Sequence, residues 1–160
     1  MLMTNSERLQ KAWHHFDDRQ GHLPNSARQA AQWAVAAGFL ELPEVDHYEV
    51  LAEQIAQALR AETKTDAAGR RYRVNHAVRV TKGGVQYTLW GAMPHVDSNH
   101  MERSLAQRRE QIIGDCCRLK TDVDVHNDFN KDKPGIQLVL DFSEDVAERE
   151  QSARMKRKAA

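Results

Sequence analysis

The sequence predicts an α+β fold, mainly helical, in which three helices and a β-hairpin are followed by a long helix and a C-terminal strand. Three patterns carry that expectation. Apolar residues recur at three- and four-residue intervals in three N-terminal segments, as amphipathic helices require. Between Arg70 and Gly91 they alternate instead, on either side of Gly83-Gly84, as two half-buried strands joined by a tight turn would. From Leu105 to His126 the spacings alternate between four and three over three heptads, the pattern of a coiled-coil seam.

The first helix is expected from Asn5 to about Gln20, with Leu9, Ala12, Trp13 and Phe16 on one face. Thr4, Asn5 or Ser6 can accept a hydrogen bond from its first free N–H groups, and Gly21 is placed to end it. Asn25 or Ser26 caps a second helix to about Ala37, whose stripe is Ala30, Trp33, Ala34 and Ala37, with Gly38 at its end. Asp46, three residues before Glu49, has capping-box spacing and opens a third helix to about Glu62. Tyr48, Leu51, Ala52, Ile55 and Leu59 form its expected buried face. Thr63 to Gly69 reads as a polar link.

In the hairpin, Tyr72, Val74, His76, Val78 and Val80 share one face of the first strand, and Arg71, Arg73, Asn75, Ala77 and Arg79 the other. Val85, Tyr87 and Leu89 oppose Gln86, Thr88 and Trp90 on the second strand. A Lys82-Gly83 loop pairs Val80 with Val85; a Gly83-Gly84 loop pairs it with Tyr87. Both registers keep every residue on the same face. One face is therefore apolar, and the other carries arginines and Trp90.

The order helix, helix, helix, hairpin over residues 5 to 91 resembles a winged helix-turn-helix domain. The resemblance implies DNA binding, with the third helix in a major groove and the hairpin as the wing. Glu44, Asp46, Glu49 and Glu53 would meet phosphates at the start of that helix, so the basic hairpin face is the better contact surface.

Gly91 to Pro94 interrupts regular structure, and Asp97, Ser98 or Asn99 can start a helix reaching about Asn130. Leu105, Arg109, Ile112, Cys116, Leu119, Val123 and His126 occupy its seam. Leu105, Ile112, Cys116, Leu119 and Val123 are the expected dimer contacts. Asn127 to Gly135 reads as a loop, and Ile136 to Phe142 as a strand with Ile136, Leu138, Leu140 and Phe142 on one face. A short helix is expected at Ser143-Glu144-Asp145, then a disordered basic tail. These elements divide the chain into residues 1–93, 94–130, 131–150 and 151–160.

Formal net charge is zero, but the charge is segregated. Arg60 to Gly91 holds seven bases against two acids, and Asp122 to Glu150 nine acids against three bases. Such a distribution gives a basic patch without a global field toward nucleic acid or membrane. No apolar run approaches a membrane span and no signal peptide precedes the first helix, so the expected location is the cytoplasm, with no membrane partner. Cys116 and Cys117 are adjacent, and a disulfide between neighbours is strained. His95, Asp97 and His100 lack a strong ligand spacing, and Asp122, Asp124, Asp128 and Asp141 suit a solvated helix face as well as a metal-dependent hydrolase. Gly83-Gly84 lacks the following helix that a phosphate loop needs. No catalytic residue, metal or cofactor is assigned.

The expected function is a small non-enzymatic DNA-binding or regulatory protein, acting as a homodimer. Arg71, Arg73, Arg79, Lys82 and Trp90 form its contact surface for nucleic acid or a protein partner. The alternatives are an assembly module that dimerises through the long helix, and a metal-dependent hydrolase.

Overall fold

A computed structural model describes residues 3–159. The fold is α+β and mostly helical, with five helices and two small antiparallel sheets among the described residues. The chain forms two compact units, one up to Leu51 and one from Ala52.

The first unit holds α1 (Asn5–Arg19), α2 (Ala27–Ala36) and the start of α3 (His47–Ala61). Thr4 caps α1 in a reciprocal box: its hydroxyl accepts from the Glu7 N–H, and the Glu7 carboxylate accepts from the Thr4 N–H at 2.7 Å. Ser26 and Gln29 repeat the device at α2. Beyond α2 the Phe39 N–H donates to the Ala34 carbonyl and the Gly38 N–H to Val35, a Schellman closure. Ala12, Phe16, Ala30 and Ala34 are buried where α1 meets α2. The small alanines let the helices approach, while Phe16, Trp33 and Phe39 supply the apolar area, with ring centroids 5.9 Å and 5.2 Å apart along that series.

The connection after α1 contains an ion pair. His22 has a positive φ of 60°, and its Nδ1 lies 2.8 Å from Asp17 Oδ2. The hydrogen bond and charge of Asp17 hold the imidazole above its ordinary pKa. A raised folded-state value means that the pair stabilises the fold fully below the unfolded histidine pKa. That contribution is lost as pH rises through the folded value. In an NMR titration, His22 should therefore show a midpoint above that of an unstructured histidine, and Asp17→Asn should bring it back.

The second unit begins within α3. Asp46 Oδ1 accepts from the Tyr48 and Glu49 N–H groups at the start of that helix. The expected buried face of α3 is not buried: Tyr48, Leu51 and Ile55 are exposed. The segment expected as a polar link instead supplies β1 (Thr63–Thr65), which pairs with β2 (Arg71–Arg73). Asp66 closes the turn between them, accepting from the backbone and side chain of Arg70. Those bonds lower its pKa.

The single first strand expected for the hairpin is thus divided. After a bend at Val74 the chain enters β3 (Asn75–Lys82), which pairs with β4 (Val85–Ala92). The register sets Val80 opposite Tyr87 and Val78 opposite Leu89, so Gly83-Gly84 is the two-residue loop. Their φ values of 56° and 78° are those a primed turn demands at both positions. Among the described residues of this unit, Val74 and Val78 are the buried apolar ones, and His76 and Ser104 are buried as well.

α4 (Ser98–Phe129) starts on Asp97, which accepts from the His100 N–H at 2.8 Å. Its 32 residues span about 48 Å. A polar stripe, not an apolar one, meets β3. His100 Nε2 lies 2.8 Å from the His76 carbonyl, and the Gln107 amide bonds both the N–H and the C=O of Arg79. Gln107 thereby satisfies a strand edge that would otherwise need another strand.

Two C-terminal expectations are corrected. Ile136 to Phe142 forms no strand, because its backbone meets no neighbouring strand. Its anchor is the side-chain amide of Asn127, which bonds the Ile136 N–H and C=O at 2.8 and 3.0 Å. The basic tail, expected to be disordered, is helical over its described residues: α5 runs from Ser143 to Ala159. Glu144 and Asp145 lie in its first turn, with Lys156, Arg157 and Lys158 in its last, so both ends complement the helix dipole. Glu150 and Arg154 add a pair one turn apart.

Candidate nucleic-acid interface

β3 and β4 place Ala77 opposite Trp90 and Arg79 opposite Thr88, so these side chains share one face. α4 runs beside this face and contributes Gln107, Arg108 and Gln111, while β2 brings Arg73. Arg60, in the last turn of α3, lays its guanidinium over the Trp90 ring, 5.5 Å from the centroid. The result is a groove of about 230 Å³ into which four arginines converge: Arg60, Arg73, Arg79 and Arg108. No carboxylate among the described residues lines it. Two carboxylates hold lining residues from the margin: Glu53 Oε1 lies 3.3 Å from an Nη of Arg60, and Glu62 Oε2 accepts from Asn75 Nδ2 at 2.7 Å.

This chemistry suits an anion. Guanidinium groups are always charged and present planar pairs of donors that match phosphate oxygens. Asn75, Gln107 and Gln111 add neutral polar groups, and Trp90 a flat apolar surface. The volume falls below the range usual for enclosed sites of small organic ligands, so an extended polyanion passing through the groove fits better than an engulfed molecule.

Of the expected contact residues, Arg73, Arg79 and Trp90 come together in the groove. Arg71 does not join them: its Nε donates to Thr63 Oγ1 at 2.7 Å within the β1–β2 ribbon. Lys82 sits exposed at the end of β3, away from the groove lining. Arg60 and Arg108 were not expected. Arg108 falls at helical spacing with Ser104 and Gln111, a polar stripe beside the apolar seam, whereas Arg60 stood out only as the first base of the Arg60–Gly91 basic stretch.

The expected seam residues fall into two groups. Leu105, Ile112 and Leu119 are 49%, 53% and 46% exposed. Cys116 and Val123 are half-buried, and Val123 lies beside Leu138 and Leu140 of the segment held by Asn127. Asp97 is engaged as a helix cap, and no group of three or more His, Cys, Asp or Glu among the described residues is arranged to hold a metal. No helix among them is long and apolar enough to cross a membrane. No protein-family model, curated protein or solved structure matches this chain.

Proposed function

We propose that this chain is a small non-enzymatic DNA-binding protein that grips the phosphate backbone in the groove between its hairpin and α4. One observation carries the reading: four arginines from α3, β2, β3 and α4 converge on a groove that also holds Trp90 and is lined by no carboxylate among the described residues. In a chain of zero net charge, that convergence is a local property of the fold and not an average basicity. Arg73, Arg79 and Arg108 contact phosphates, and Trp90, backed by Arg60, offers a stacking face to a base or sugar. Phosphate contacts position a protein without reading sequence, so the binding is tolerant of sequence and sensitive to salt. The winged-helix resemblance is not needed for this reading, because the acidic start of α3 takes no part in it.

Titrating labelled DNA at a series of salt concentrations tests the reading. Wild type should bind at low salt, with log K falling linearly as log salt rises. Arg71→Ala should leave both affinity and slope nearly unchanged, because Arg71 is committed to Thr63 outside the groove. No binding at low salt sinks the proposal.

A further inference from the structure

The apolar residues of α4 raise a question that the groove does not answer. A helix lying on its own domain would be expected to turn its apolar stripe inward. Here the polar stripe of His100, Ser104 and Gln107 meets β3, and Leu105, Ile112 and Leu119 are left half-exposed at seven-residue intervals. The second unit buries only Val74 and Val78 as apolar core residues among those described. A unit of this length with so small a core is a candidate for stabilisation by association.

We infer that α4 forms a parallel, two-stranded coiled coil with α4 of a second copy of this chain. The heptad assigns Leu105, Ile112 and Leu119 to d, and Arg109, Cys116 and Val123 to a. Parallel pairing stacks d against d, so the three exposed apolar residues meet their own counterparts. Antiparallel pairing would set them against a positions that are charged at Arg109 and partly covered at Cys116 and Val123. The flanking charges agree. Asp115 falls at g and Lys120 at the following e, the positions that form interhelical pairs in a parallel dimer. Both side chains are exposed and held only by neighbours on their own helix, Arg118 and Lys120's partner Asp124. In an antiparallel pair centred on the same seam, Asp115 would face Asp115 of the other copy. Arg109 is an exposed polar a residue, which costs stability and fixes register, while its stem covers apolar surface.

The inference stands independently of the groove, so failure of DNA binding leaves it untouched. Light scattering of the full chain should give twice the 18.3 kDa chain mass. Ile112→Glu with Leu119→Glu should raise the dissociation constant roughly a hundredfold or more, with unchanged circular dichroism, because both positions are already half-exposed in one chain. Leu119→Cys in a Cys116→Ser, Cys117→Ser background should give a disulfide-linked dimer on mild oxidation, since d side chains face each other across a parallel seam. Any of three results overturns the inference: a monomeric wild type, a dimer indifferent to the two glutamates, or a dimer that does not cross-link through position 119.

Discussion

Changing Arg73, Arg79 and Arg108 together to alanine is expected to weaken DNA binding by roughly a hundredfold at moderate salt and to flatten its salt dependence. An exposed, charge-assisted contact with a phosphate contributes about 1 kcal/mol, so three contribute about 3 kcal/mol, close to two powers of ten in affinity. The slope is the more discriminating readout. Each phosphate neutralised releases condensed counterions, and the slope of log K against log salt changes by about 0.9 per contact on duplex DNA. Loss of three contacts should therefore reduce its magnitude by about 2.7. A fold defect would lower the active fraction without altering that slope. An unchanged slope in the triple variant would show that the phosphates lie elsewhere. Arg60 is left out of the set because its guanidinium also covers Trp90, and its removal would disturb the aromatic surface as well as the charge.

Gly91→Ala is expected to produce the largest loss of stability of any single methyl addition to the hairpin. A Cβ at this position would overlap Cγ1 of Val96 outright, and it would sit 3.4 Å from His100 Nε2. Overpacking of this kind costs about 2 kcal/mol. Urea unfolding followed through NMR signals of β3 amides should then show a midpoint lower by about 1 M. The clash has a specific remedy. Val96→Ala removes the offending methyl and leaves Val96 Cβ at 3.5 Å and His100 Nε2 at 3.4 Å, both ordinary contacts. The double variant should therefore be more stable than Gly91→Ala alone. That sign of coupling appears only if the two side chains meet as described. The substitution also tests the passage from β4 into α4, because Val96 donates its N–H to Ala92 at the end of β4.

Local chemistry made much of this fold legible. Gly83-Gly84 between alternating apolar residues defined the hairpin, and α4 differs from its expected limits by one residue at the end, Asn130 becoming the C-cap. Thr4 and Ser26 were among the expected caps. Features that depend on what the backbone meets in space were not legible. The alternation of Ile136, Leu138, Leu140 and Phe142 suits a strand, but a strand also needs a neighbour, and the neighbour here is one asparagine side chain. Thr63 to Thr65 carries no apolar alternation and is a strand only because Arg71 to Arg73 returns beside it. The tail lacks apolar partners, yet its charges are ordered along the helix dipole. The same division holds for the groove. Period-two alternation placed Arg73, Arg79 and Trp90 on one face. Arg60 and Arg108 could enter only once α3 and α4 had been set against the hairpin.

The Gln107 amide has a consequence for how this sheet can grow. Because it occupies both backbone groups of Arg79, those groups point away from β4, and in an antiparallel pair the groups of Thr88 opposite must point away from β3. One margin of the two-stranded sheet is closed by a side chain that imitates a strand, while the other bears Gln86, Thr88 and Trp90, whose outward backbone groups meet no partner among the described residues. The sheet is accordingly one-sided. A peptide that joined it by backbone pairing would have to align along β4, next to the tryptophan, and could not align along β3 at Arg79 without first displacing Gln107.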